Sequence, residues 1–321
     1  MTPIIEVAGL KKHFALNSGF FGRNAAMVKA VDGVSFAINP GETLCLVGES
    51  GCGKSTVGKL LLRLLEPSEG TIRLDGADIT HLGIGDMRPH RKRMQMVFQD
   101  PYASLNPRMA AGKIVAEPLE NYSDFSPQDR ETRVAELFDK VGLRSDAMKR
   151  FPFEFSGGQR QRLGIARALA LNPAIIIADE PVSALDVSVQ AQVLNLMMDL
   201  QEEMGLAYLF VSHDLGVVEH IGHRVAVMYL GKIVEIASKD ALFETPLHPY
   251  TQALMAAAPI ADPHVKRERI VLQGDVPSPI NPPPGCAFHT RCPFAFDRCK
   301  VETPALKGAA DGRSVACHLV A

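Results

Sequence analysis

The stretch Gly48-Glu49-Ser50-Gly51-Cys52-Gly53-Lys54-Ser55-Thr56 constrains this chain more than any other. An apolar run from Thr43 to Val47 precedes it and Val57-Gly58-Lys59-Leu60-Leu61-Leu62 follows, so the segment reads as strand, tight loop and helix. That is the context of a phosphate-binding loop. Glycines at 48, 51 and 53 let the backbone turn sharply and aim several N–H groups at one anion. A helix starting near Lys54 adds its positive end. In such a loop Lys54 reaches the β- and γ-phosphates of a nucleotide, and the Ser55 hydroxyl holds Mg²⁺.

A chain of 321 residues has length for one large core plus a smaller appendage, or for two modest domains. Its net charge of −2 and charged fraction of 22% argue against a basic nucleic-acid binder and against an acidic disordered tail. The opening Met1-Thr2-Pro3-Ile4-Ile5-Glu6 has no positively charged leader, and no stretch approaches the ~20 apolar residues of a membrane span. The expectation is a cytoplasmic protein that reaches any membrane through a partner.

In chain order, Ile4 to Val7, Val31 to Ile38 and Leu44 to Val47 read as β-structure, with a polar surface insert from Asn17 to Ala26. Thr71 to Gly76 reads as a strand running into a turn. The basic run Met87 to Arg93 reads as a solvated helix face, because no aromatic residues interleave as a nucleic-acid patch would require. A strand from Met94 to Phe98 delivers Gln99, which either caps the strand or ligates Mg²⁺ or a water. Residues 112 to 150 carry helical spacing, with Val134, Leu137, Phe138 and Val141 on one face. Ser156-Gly157-Gly158-Gln159 then opens a helix, Ser156 serving as N-cap. It is either an ordinary capped helix or a second anion site. The strand Ala174 to Ala178 is apolar throughout, as a buried parallel strand is, and ends in Asp179-Glu180. Acids there sit where open α/β sheets bind ligands. Asp179 suits a Mg²⁺ partner, and Glu180 suits a group that orients or deprotonates water. After Pro181 to Asp186 come a helix through Met204 and a further apolar strand, 207–211, which ends at Ser212-His213-Asp214. His213 at that point is a candidate for contact with a γ-phosphate.

Together these residues resemble an ATP-binding cassette (ABC) ATPase. Gly48 to Thr56 is similar to Walker A, Gln99 to the Q-loop, Ser156 to Gln159 to the signature motif, Ile175 to Glu180 to Walker B, Ser183 to Asp186 to the D-loop, and His213 to the switch histidine. Phe155 stands before the signature where the family more often has leucine. The resemblance implies an α/β fold: a P-loop ABC ATPase with a RecA-like core, an antiparallel β-subdomain and a helical signature subdomain at about 108–168, all within residues 1–245. A small Cys-containing C-terminal extension occupies 246–321. Val97 to Pro107 and His248-Pro249-Tyr250-Thr251 are similar to the oligopeptide/dipeptide importer subfamily, whose relatives also move nickel or glutathione.

The resemblance also assigns roles. ATP would lie on Gly48 to Thr56 (Gly48, Glu49, Ser50, Gly51, Cys52, Gly53, Lys54, Ser55 and Thr56). Phe14 is the adenine-stacking candidate, with Phe20 and Phe21 as competitors. Mg²⁺ would be held by Ser55 and Gln99, with Asp179 acting through water. Glu180 would polarise the attacking water, and His213 would touch the γ-phosphate. Ser156, Gly157, Gly158 and Gln159 would act on ATP held by a facing second ATPase subunit, a sister chain or an identical one. Two transmembrane permease subunits and, indirectly, an extracytoplasmic solute-binding protein complete the expected assembly at the cytoplasmic face of the membrane. No nucleic acid is expected. A soluble ABC ATPase is the alternative, although the chain has neither a second cassette nor a long coiled-coil insertion.

Cys286, Cys292, Cys299 and Cys317 crowd the last 36 residues with the spacing C-x5-C-x6-C-x17-C. In a reducing compartment such a group suggests metal before disulfides. Zinc ribbons use close pairs, which are missing here. Four cysteines can ligate an iron–sulfur cluster, and some peptide-importer ATPases carry one in this extension. The expectation is a [4Fe–4S] cluster, with zinc or unliganded thiols as alternatives and His289 and His318 as substitute ligands. Cys52 in the phosphate loop reads as a small side chain that fits.

Overall fold

The computed structural model describes residues 2–16, 26–122, 125–257, 272, 274–309 and 312–320. The strands in chain order are β1 (Ile5–Ala15), β2 (Met27–Ile38), β3 (Thr43–Val47), β4 (Glu69–Leu74), β5 (Ala77–Asp78), β6 (Met94–Val97), β7 (Ile175–Asp179), β8 (Ala207–Ser212), β9 (Arg224–Tyr229), β10 (Lys232–Ser238), β11 (Lys307–Gly308) and β12 (Ser314–Val315). They fall into two compact units. One comprises Met1–Ile4, Ile38–Glu42 and Leu82–Val211; the other comprises Ile5–Ala37, Thr43–His81 and Ser212–Ala321.

The first unit is built on parallel strands. β6 pairs with β7 (Met94 opposite Ile175, Val97 opposite Ala178), and β7 pairs with β8 (Ile175 opposite Ala207, Asp179 opposite Val211). Every residue of β7 is buried, which is why that strand reads as unbroken apolar sequence. The same unit holds the helices Ala111–Tyr122, Pro127–Lys140, Gly157–Leu169 and Val187–Met204, the first two packed on each other and on the third. The expected apolar face closes here, with Val134, Leu137, Phe138 and Val141 all buried. Local chemistry starts two of these helices. Ser126 caps Pro127–Lys140, with proline at the first helical position. Asp186 accepts the Val189 N–H at 3.0 Å at the head of Val187–Met204, which Gly205 ends in a left-handed conformation at φ 65°.

In the second unit, β1 and β4 pair antiparallel (Ile5 opposite Leu74), β4 pairs antiparallel with β5, and β2 is the other neighbour of β1. This is the expected antiparallel β-subdomain. At the foot of the expected insert, the Leu16 N–H donates to Ala26 O at 2.8 Å; residues 17–25 lie outside the described residues, and Phe20 and Phe21 with them. The same unit holds a run in the order β11-β12-β10-β9-β3. Within it β3 and β9 are parallel (Val47 opposite Val227), and β10 is antiparallel to both β9 and β12. The C-terminal tail therefore supplies strands to the unit that carries the phosphate loop: Val315 lies opposite Glu235 and Ser314 opposite Ile236. Among the described residues no helix is long and apolar enough to cross a membrane.

Candidate functional site

Between β3 and the helix Lys54–Leu61, the backbone at Gly48, Gly51 and Gly53 has φ of 152°, 79° and 107°, values that side chains tolerate poorly. Two of these glycines also lack room. A Cβ at Gly48 would stand 2.2 Å from Met228 O, and one at Gly53 would stand 2.0 Å from Ala30 O. The Lys54 ammonium is buried within the loop it serves, donating to Gly48 O at 2.7 Å and Glu49 O at 3.1 Å. No acidic residue occupies the first turn of Lys54–Leu61, so nothing on that helix opposes an anion at its positive end. Loop and donor set together fit a polyphosphate. Cys52 is buried, its thiol pushed up by burial, which leaves it a filler and not a nucleophile.

His213, which follows β8, is exposed and lines a cleft of about 350 Å³ with Val47, Gly48, Glu49, Asp214 and Leu215. The second unit thus brings the switch-histidine candidate beside the phosphate loop. Asp214 caps the short helix Leu215–Ile221, accepting the Gly216 N–H at 2.8 Å, and so sets the direction of the chain after His213. Phe14 near the end of β1 is 36% exposed, with Lys12 Nζ over its ring at 5.1 Å from the centroid.

In the first unit, β7 ends with Asp179 buried and Glu180 half-buried. Glu180 has φ 46°, a left-handed conformation that costs a side-chain-bearing residue about 1–2 kcal/mol. Three hydrogen bonds hold it there: its N–H to Val211 O at 3.0 Å, and Ser183 N–H and Oγ to Glu180 O at 3.2 and 3.0 Å. The Gln99 amide donates to Glu180 Oε2 at 2.8 Å, so the Q-loop and Walker B candidates meet directly. Ser156 and Gln159 form a reciprocal capping box, Gln159 N–H to Ser156 Oγ at 3.3 Å and Ser156 N–H to Gln159 Oε1 at 3.0 Å. Gly158 allows Gly157–Leu169 to approach Val187–Met204, since a Cβ there would lie 2.3 Å from Val189 Cγ1. Asp186 heads the latter helix, and the Val189 N–H it accepts holds its carboxyl below the ordinary range.

Residues 31–183 match the ABC transporter family, and residues 234–299 match the oligopeptide/dipeptide transporter C-terminal region. The chain is 57% identical over 319 residues to an oligopeptide transport ATP-binding protein of Bacillus subtilis, covering 98% of this chain and 97% of that protein. It is 51% identical to a dipeptide transport ATP-binding protein of Haemophilus influenzae, covering 98% and 96%. The chain belongs to the oligopeptide/dipeptide family of ABC transporter ATP-binding proteins. Among solved structures, a dimeric bacterial ABC transporter cassette superposes with a TM-score of 0.65 at 30% identity, covering 73% of this chain and 98% of that one. A post-hydrolysis cassette dimer bound to ADP and phosphate gives 0.66 at 29%, covering 73% and 98%. Like the members of its family, this ATPase binds and hydrolyses ATP.

The expected metal centre in the tail of the ATPase is not assembled. Among the described residues no three His, Cys, Asp or Glu side chains gather as a metal ion requires, and all four tail cysteines are free thiols. Burial pushes Cys286 up to about 11, with further upward pressure from Cys299, Cys317 and Cys292; burial also raises Cys292 and Cys317. The substitute ligands face backbone: His289 Nδ1 lies 2.8 Å from Cys286 O and His318 Nε2 lies 2.9 Å from Glu302 O, so each of those nitrogens carries the proton.

Two residues that sequence reasoning missed touch the phosphate loop. The Glu49 N–H donates to the Tyr250 hydroxyl at 2.9 Å, and Arg291 grips the Glu49 carboxylate. Tyr250 was visible in His248-Pro249-Tyr250-Thr251, but only as a mark of kinship. Arg291 was hidden beside Cys292, where attention falls on sulfur.

Proposed function

We propose that this ATPase drives uptake of di- and oligopeptides through a membrane permease, docking peripherally at its cytoplasmic face. The match of residues 234–299 to the oligopeptide/dipeptide transporter C-terminal region carries this reading. Residues 1–245 form the nucleotide-binding domain, with the helical signature subdomain at about 108–168, and 246–321 form the extension. Gly48 to Thr56 cradle the phosphates and Phe14 stacks on adenine. Ser55 and Gln99, with Asp179 through water, would hold Mg²⁺, which would supply positive charge to offset that of the γ-phosphate. Glu180 orients and polarises the attacking water. His213 contacts the γ-phosphate and relays its loss.

One chain carries one phosphate loop and one signature, so a complete site needs two chains facing head to tail. Ser156, Gly157, Gly158 and Gln159 then act on the nucleotide of the partner ATPase, a sister subunit in this reading, and Asp186 lies at the seam. The assembly includes two transmembrane permease subunits and receives solute from an extracytoplasmic binding protein. Iron–sulfur loading of Cys286, Cys292, Cys299 and Cys317 is a separate proposal, supported by four thiols close enough to raise one another and requiring them to be drawn together. Iron with acid-labile sulfide after anaerobic purification supports it; zinc without sulfide, or neither, overturns it.

The test is uptake of labelled di- and oligopeptides, nickel and glutathione in cells carrying wild type or Glu180→Gln. The variant binds ATP normally and loses nearly all turnover, and peptide uptake falls selectively. Loss of another solute moves the substrate within the family. Normal hydrolysis by the variant removes Glu180 from the chemistry.

A further inference from the structure

A carboxylate within a phosphate-binding loop is an electrostatic contradiction. Glu49 lies one residue beyond Gly48, among N–H groups gathered for an anion, and its own charge repels the phosphates they attract. The tail resolves this. Arg291 Nη1 donates to Glu49 Oε2 at 2.8 Å and Nη2 to Oε1 at 3.0 Å, a two-pronged grip with the arginine side chain only 8% exposed and Glu49 28% exposed. A guanidinium keeps its positive charge throughout the physiological range.

Arg291 is itself held in place. Its N–H donates to Phe288 O at 3.0 Å, the His289 N–H donates to Cys286 O at 3.0 Å, and the Cys286 N–H donates to Cys299 O at 2.8 Å. Its guanidinium lies over the Tyr229 ring at 6.0 Å. Phe288 is buried against Tyr229 and Tyr250, with ring centroids 5.3 Å from each, and Tyr250 gives the loop its second anchor through the Glu49 N–H.

We propose that Arg291 is a positioning residue for nucleotide binding: the C-terminal tail clamps the phosphate loop and cancels the charge of Glu49, so the state of the tail sets the affinity for ATP. This rests on the assignment of residues 48–56 as the ATP loop. The probe is ATP itself, titrated against the full chain at low and high salt, with circular dichroism confirming that each variant is folded. Arg291→Gln weakens ATP binding about tenfold at low salt, where one uncancelled charge near the triphosphate is felt most. Adding Glu49→Gln to that variant restores affinity to within about twofold of wild type, because no charge then needs cancelling. Arg291→Lys, which keeps the charge and loses the fork, falls between.

Unchanged affinity in Arg291→Gln overturns the proposal. Equal weakness in the single and double variants overturns charge cancellation and leaves Arg291 a packing residue. Lys54→Ala separates the two levels of the argument: if it binds ATP like wild type, the loop assignment falls and the clamp with it. If Lys54→Ala loses ATP while Arg291→Gln does not, the clamp alone falls.

Discussion

Acidification should loosen this protein at His248, and the size of the effect follows from its surroundings. The side chain is 1% exposed, and its Nδ1 accepts the Tyr250 N–H at 3.0 Å, a bond that only the neutral ring can make. The nearby Glu235 carboxylate is occupied by the N–H groups of Leu247 and His248, both at 2.9 Å. Burial pulls the imidazole down to about 4 from an ordinary value of 6.5. Between those values the unfolded chain takes up a proton that the folded chain refuses, so stability rises with pH. The contribution is complete above pH 6.5 and is lost progressively as pH falls towards 4. At about 1.36 kcal/mol per unit, lowering the pH from 7.5 to 5 costs about 2 kcal/mol at this residue. Denaturant unfolding of wild type and His248→Asn across that range measures it. Asparagine keeps an acceptor for the Tyr250 N–H but does not titrate, so it lowers stability at every pH with a shallower slope. Parallel stability–pH curves for the two proteins would refute the reasoning.

Gly158→Ala places a Cβ 2.3 Å from Val189 Cγ1. Valine is stiff at χ1, so the two helices must part, lowering unfolding free energy by about 1–3 kcal/mol in a denaturant titration. Gly53→Ala forces a side chain into φ 107° and against Ala30 O, so the loop cannot hold its shape. Equilibrium dialysis with labelled ATP should find binding lost, along with a lowered melting temperature.

The parts of the fold legible in the sequence were those whose cause is local. β7 announced itself because a strand buried on both faces tolerates only apolar residues, and Ser156 and Gln159 announced a helix start because a capping box is written within four residues. The glycines of the phosphate loop were legible for the same reason: φ beyond 70° excludes most other residues. The anchors of that loop were not, because Tyr250 and Arg291 meet Glu49 from 201 and 242 residues away and nothing near them in sequence marks the meeting. The four tail cysteines differ: among the described residues no metal-binding group is seen. Their number and crowding suggest ligands, but spacing says nothing of where the sulfur atoms point. In sequence Gln99 admits two roles, strand cap or ligand, and the structure shows it bonded to Glu180, 81 residues on.

The laddering of β12 onto β10 and the reach of Arg291 back to Glu49 bear on the order in which the chain can become active. Ribosomes deliver the N-terminus first, so the phosphate loop emerges early and waits while more than two hundred residues follow. Closing loops of that length is entropically expensive and slow compared with forming helices such as Pro127–Lys140. The contact of Arg291 with Glu49 is therefore made at the end of synthesis, and a nascent chain halted before Arg291 lacks it. On the proposal above, full affinity for ATP arrives only after translation has passed the tail.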